Sequence, residues 1–119
     1  MPNRIEAREV IEKFGDPVGL TLYVVMSVAQ GLDDVQAHIE DHLGYLRELE
    51  DRGVLVAAGP VWTDDGDFFE GDGMLIYRTG SVLEARAIAD ADPMHASGAR
   101  TYRITPWFVH DGTIGKRVS

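Results

Sequence analysis

Few side chains in this sequence titrate near neutral pH: it holds four histidines and no cysteine. One of them, His42, lies in the stretch His38-Ile-Glu-Asp-His42-Leu-Gly-Tyr-Leu46. The neighbouring apolar residues Val35, Ile39, Leu43, Leu46 and Leu49 follow the four-three spacing of a helix with one buried stripe, and His42 falls on the edge of that stripe. A titratable ring against an apolar wall is either a core histidine held by a hydrogen bond or a proton-transfer group tuned by its surroundings. Spacing alone leaves both readings open.

Other residues could share such a site. His95 closely follows Asp92-Pro93 and could act as a second acid or base, or could only cap its loop. Arg100 and Arg103 could hold a carboxylate or phenolate, but strand alternation lets only one of them face a given pocket. Arg103 shares its alternation with Trp107 and is the expected binder; its bland reading is an exposed charge on an edge strand. Tyr23 and Tyr77 either line the pocket or pack at a subunit interface. His38 and His42, four apart, share a helix face that could take a metal with Glu40, Asp41 or His95. Zinc-protease spacing requires Glu directly after the first histidine, and Ile39 stands there, so a solvated surface is expected and no metal is assigned. Asp64-Asp-Gly-Asp67 lacks the twelfth-position glutamate of a calcium loop and reads as a turn.

These side chains need a scaffold, and 119 residues suffice for one domain with one core. Hydrophobic residues at 45% and charged residues at 26% are globular proportions. The formal charge of -9 argues against nucleic acid and anionic membrane surfaces as partners, because phosphate binding needs clustered Lys and Arg. Without cysteine there is no disulfide and no thiolate nucleophile, which suits a reducing cytoplasm, the expected location. The first ten residues are charged throughout, unlike a signal peptide. The longest apolar run, residues 20–29, is too short to cross a bilayer as a helix.

Along the chain, residues 4–14 could form a short helix with Ile5, Val10, Ile11 and Phe14 as its apolar members, stopped by Gly15 and Pro17. Residues 20–29 alternate as a first strand, with Leu20, Leu22, Val24, Met26 and Val28 on one face. Asp33 or Asp34 can cap a helix that runs to about Arg52 and stops at Gly53. Residues 54–61 read as a second strand whose Pro60 belongs at its end or at a sheet edge. Residues 62–71 carry turn chemistry and exposed aromatics, a mobile flap over a pocket or partner. A third strand over 72–78 completes a hairpin. Ser81 and Glu84 match the capping box of a second helix over 82–91, which Asp92-Pro93 ends before a loop over 94–98. The last strand spans 99–109, its Pro106 pointing to an edge, and the tail from His110 is expected to be loose.

This order, βαββαβ, predicts an α+β ferredoxin-like fold: a four-stranded antiparallel sheet with two helices on one face. The uncovered face is expected to include Tyr23, Val25, Leu55, Ala57, Leu75, Tyr77 and Trp107. A second copy is its simplest cover, giving a homodimer of the dimeric α/β-barrel type with clefts for a small molecule.

Glu40-Asp41-His42-Leu43 with Tyr45-Leu46, Ala58-Gly59-Pro60, and Ala91-Asp92-Pro93 together resemble the YciI-like, or YCII-related, family over roughly residues 20–109. Residues 1–19 and 110–119 are then an N-terminal extension and a C-terminal tail. The resemblance implies the dimeric ferredoxin-like fold and a candidate active site in which a helix histidine, here His42, pairs with the aspartate before a proline, here Asp92. One member of the family is a cofactor-free dehydrochlorinase of a chlorinated hydroxyquinol, which implies related lyase chemistry. His95 looks like the extra histidine of a sub-branch.

A carboxylate that accepts a hydrogen bond from one ring nitrogen fixes the tautomer and raises the basicity of the other. Such a base can take a hydroxyl proton from a phenol or enol and so drive out a leaving group elsewhere on the ring. The expected activity is therefore a cofactor-independent lyase or isomerase acting on a small metabolite that could be aromatic. His42 and Asp92 are its catalytic residues, and His95, Arg103, Tyr23 and Trp107 bind the substrate. Two alternatives are a non-catalytic dimer that binds a small ligand in the same cleft and an enzyme like muconolactone isomerase or a cofactor-free monooxygenase.

Overall fold

The computed structural model describes residues 3–14 and 20–114. A short helix, α1 (Ala7–Phe14), precedes a four-stranded antiparallel sheet of β1 (Leu20–Ala29), β2 (Leu55–Trp62), β3 (Phe69–Tyr77) and β4 (Arg100–Val109). The strand order is β2-β3-β1-β4, so β1 and β3 are central. The β1–β4 pair runs from Leu20 opposite Val109 to Ala29 opposite Arg100. The α+β ferredoxin-like architecture expected from the order of elements is the one formed. Pro60 and Pro106 both lie on edge strands, where a missing N–H costs no ladder bond. The expected stops at Gly15 and Pro17 lie outside the described residues.

Between β1 and β2 the single predicted helix is two, α2 (Leu32–Ala37) and α3 (Ile39–Asp51), meeting at His38 with φ -110° and ψ 7°. The His38 ring bonds through Nδ1 to the Asp34 carbonyl at 2.8 Å, the kind of local side-chain-to-backbone bond that competes with a helix and bends it. Gly31 occupies the N-cap of α2 without a side-chain cap bond. Asp33 and Asp34 sit in the first turn, where their charge suits the helix dipole. Gly53 leaves α3 with φ 72°, the left-handed stop the sequence called for.

The β2–β3 hairpin is longer than expected because β3 starts at Phe69. Its turn is a hydrogen-bonded unit: the Thr63 and Phe68 backbones pair at 2.8 Å, and the Asp65 carboxylate accepts from the Asp67 N–H at 3.0 Å. Helix α4 (Val82–Ala91) opens with Ser81 Oγ accepting from the Glu84 N–H at 3.2 Å, and Glu84 reaches back to the Gly80 N–H at 3.0 Å. This is the expected box, with its return bond shifted by one residue. The expected loop after Asp92 contains a helical turn, α5 (Pro93–Ala96).

Helices α3 and α4 cover one face of the sheet. Leu49, Ala85, Ile88 and Ala89 pack there on Tyr23, Val25, Leu75 and Tyr77, with Leu55 at the margin. These sheet residues were expected on the open face, so the face assignment is corrected. Alternation divides a strand into two sets without saying which set the helices choose, and small Ala85 and Ala89 leave room for Tyr77, which is fully buried. The opposite face carries Leu22, Ile76 and Val109 together with Leu20, Val24 and Ile114. Ile114 packs on this cluster, so the tail expected to be loose from His110 makes a contact within its described part. Trp107, opposite Leu22, and Ala57, opposite Ile76, belong to this second face as expected.

Replacing Ser81 with Ala removes the side-chain cap of α4 while leaving the core intact. Chemical denaturation should show a loss of about 1 kcal/mol, and the thermal midpoint should fall by ~4 °C.

Candidate functional site

Asp92 is positioned by the joint between α4 and α5, where it is both the C-cap of one and the N-cap of the other. Pro93 favours an extended residue before it and fits the first turn of a helix, and Asp92 has φ -64° and ψ 127°. Its side chain then points inward and is wholly buried. Oδ1 accepts the Met94 backbone N–H at 2.9 Å and meets His42 Nδ1 at 2.8 Å. A carboxylate oxygen can only accept from an imidazole N–H, so Nδ1 carries a hydrogen, and in the neutral ring the lone pair is on Nε2.

His42 reaches this position because its place on α3 is more central than the apolar spacing implied. It shares the innermost line of the helix with Leu49, seven residues on, whereas Leu43 is 43% exposed. Asp92 Oδ2 and the Tyr77 hydroxyl are also buried, and neither has a hydrogen-bond partner among the described residues. Burial, and secondarily the Asp92 charge, push the Tyr77 phenol well above its ordinary range. The same two causes raise Tyr45, whose hydroxyl donates to the Ile88 carbonyl at 2.7 Å and ties α3 to α4. Both phenols stay protonated beside the carboxylate.

The His42 ring opens on a cavity of about 380 Å³ between α3 and the β2–β3 hairpin. Ile39, Leu43 and Leu46 form one wall, and Ala58, Pro60, Trp62, Phe69 and Leu75 contribute to the other. Trp62 and Phe69 meet edge to face, ring centres 6.3 Å apart. Among the lining residues only His42 and Arg100 carry titratable side chains. Nε2 of His42 makes no hydrogen bond to any described residue and remains available to a molecule in this space.

Arg100, not the expected Arg103, is the arginine that lines the cavity. It is 4% exposed, and its Nε donates to the Gly71 carbonyl at 2.7 Å. Burial lowers its pKa from the ordinary guanidinium value, against the attraction of Asp92 and Asp72. The signal was its parity: opposite Ala29, it falls on the helix-covered face with Ser27, Val25 and Tyr23. Arg103 shares the parity of Trp107 and so falls on the other face, away from the cavity.

The other expected binders are placed elsewhere. Arg103, opposite Met26, is exposed on the second face of the sheet, and Trp107 is 43% exposed on that same face. Tyr23 is core under the helices. None of the three lines the His42 cavity: Tyr23 is packed under the helices, and Arg103 and Trp107 lie on the face of the sheet that the cavity does not share. His95 does not line it either. Its Nδ1–H donates to the Ala89 carbonyl at 2.7 Å, the Ser27 hydroxyl donates to Nε2 at 2.7 Å, and its ring lies 4.6 Å from that of Tyr102. Burial lowers the His95 pKa, so the ring is neutral, with both nitrogens engaged. No cluster of three or more His, Cys, Asp or Glu residues that could hold a metal occurs among the described residues. No helix among them is long and apolar enough to cross a membrane.

The solved structures similar to this fold include the following two. One is a 5-chloro-2-hydroxyhydroquinone dehydrochlorinase from Burkholderia phenoliruptrix in complex with 2,5-dihydroxybenzoquinone. It matches with a TM-score of 0.56 and 20% identity, over 72% of this chain and 92% of that one. The other is a dimeric ferredoxin-like protein from an uncultured marine organism, with a TM-score of 0.46 and 14% identity over 80% and 98% of the two chains. No curated protein matches the chain significantly. The model of the YCII-related domain matches residues 21–108, a span that contains His42, Asp92 and every residue lining the cavity. On that match, the chain belongs to the YCII-related domain family.

Proposed function

We propose that the protein is a cofactor-independent lyase or isomerase acting on a small, flat metabolite, with His42 as general base and Asp92 as its positioning carboxylate. One observation carries this reading: the bond of 2.8 Å between His42 Nδ1 and Asp92 Oδ1, in a histidine that lines an apolar cavity and whose Nε2 has no partner among the described residues. The carboxylate holds the tautomer and stabilises the imidazolium that forms when Nε2 takes a proton. Proton removal from an enolic hydroxyl, or from a phenolic one once the ring carbon that bears the leaving group has been protonated to the keto form, would push electrons through the conjugated system and expel that group, such as chloride, from the saturated carbon. The proton would rest on Nε2 and the electron pair would leave with the departing group. A well-placed base contributes about 10²–10⁴ in rate, which suffices for a substrate already prone to eliminate.

The similar dehydrochlorinase supports this class of chemistry by its fold, and chlorinated hydroxyquinols are the first substrates to try. The second face of the sheet, with Leu22, Ile76 and Val109 at its centre and Trp107 exposed beside them, supports a homodimer formed through that face. A ligand-binding role without turnover is the rival, favoured by a lining with only two titratable side chains.

The deciding experiment incubates the protein with hydroxyquinols, halophenols and lactones and follows spectral change and halide release. His42→Ala should keep the fold by circular dichroism and lose turnover by about 10²-fold or more. An unchanged rate in that variant refutes the assignment of the base, and a ligand that raises the melting temperature yet is recovered intact favours the binding role. Asp92→Asn separates charge from shape. The amide oxygen can still accept from His42 and Met94, so the folded state should persist. The charge that stabilises the imidazolium is gone, and the rate should drop by about 10² or more.

A further inference from the structure

We infer that Arg100 makes the His42 cavity a receptor for organic anions: a flat apolar body whose carboxylate, enolate or phenolate oxygen is bound by the guanidinium. The inference rests on the reading above that the cavity holds a small molecule, and it adds the class of that molecule.

Arg100 is held in place before any ligand arrives. Its Nε is spent on the Gly71 carbonyl at 2.7 Å. Its terminal nitrogens lie over Gly73, where an added Cβ would stand 2.8 Å from Nη1 and 3.3 Å from Nη2. Glycine at 73 thus lets the plane of the guanidinium lie directly on the strand. Both residues line the cavity.

The charge has no ion-pair partner among the described residues. Neither of the two acids that attract it forms an ion pair with it: Asp92 Oδ1 is bonded to His42 and Met94, and Asp72 to the Ala29 N–H at 2.8 Å. A cation that is 4% exposed and unpaired is costly, and an anionic oxygen in the cavity would offset that cost. The planar fork of arginine suits a carboxylate through two parallel bonds and a phenolate through one. The remaining walls are aliphatic and aromatic and would hold the apolar body, with His42 opening on the same space.

The test reads binding rather than turnover. Trp62 lines the cavity while Trp107 lies on the other face of the sheet, and they are the only two tryptophans in the chain. In a Trp107→Phe background, Trp62 fluorescence therefore reports occupancy directly. Benzoate and its neutral isostere benzamide are titrated, and 4-nitrophenol is titrated above and below its ionisation. Benzoate should bind at least about tenfold more tightly than benzamide, or ionised 4-nitrophenol than its neutral form. Whichever anion shows the preference identifies the oxygen recognised. Arg100→Met should abolish the preference and Arg100→Lys should keep part of it. Gly73→Ala, which displaces the fork, should weaken it and stands in if the Met variant does not fold. Equal binding of charged and neutral probes, no binding of either anion, or a preference that survives these variants overturns the proposal. His42→Ala should retain the preference, so failure of the proposed base and failure of the anion receptor give different results.

Discussion

Asp92 is a fully buried carboxylate that directs one oxygen at two N–H donors, the His42 ring and the Met94 backbone. A buried carboxylate without donors would be costly, so the position of α3 relative to the α4–α5 joint is constrained by this one side chain. His42 and Asp92 lie 50 residues apart in the chain, which bends at His38, just before the turn that carries His42. Tyr45, three residues beyond His42, fixes the same helix against α4 through the Ile88 carbonyl. The fold around the site is thus held by a few directional bonds set into an otherwise apolar layer.

Two histidines near Asp92 show how differently this layer can treat the same ring. His95 has a carbonyl on one nitrogen and a serine hydroxyl on the other, and it rests against Tyr102. Its bonding capacity is filled, which makes it a structural element of the α5–sheet contact. His42 has its single bond on the carboxylate side, and the residue lines the cavity. In surroundings this apolar, a small number of polar atoms governs what a bound molecule experiences, because little solvent competes with them.

Much of the architecture was legible from local chemistry. The alternation of residues 20–29, the Ser81–Glu84 cap, Gly53 as a helix stop and two prolines confined to edges were enough to order the elements. The choice of sheet face was not legible, since both sets of alternating residues on β1 are apolar: Leu22 and Val24 on one side, Tyr23 and Val25 on the other. Tyr23 was expected on the open face for this reason, and the pocket was expected there with Arg103 and Trp107, whereas the cavity lies on the helix-covered side with Arg100. The α2–α3 bend and the α5 turn escaped for another reason: each depends on one side chain bonding its own backbone, which periodicity does not register. The meeting of His42 with Asp92 is a long-range event that spacing could not supply; the family resemblance implied the pair, and the geometry now gives its distance.

Because one oxygen of Asp92 serves both His42 and Met94, the imidazole and a main-chain amide are electrically joined through it. A change in the charge of the ring must alter the polarisation of that amide across a path of two hydrogen bonds. The Met94 N–H resonance is therefore an intrinsic probe of the histidine, readable by nuclear magnetic resonance without a label on the ring or a ligand in the cavity.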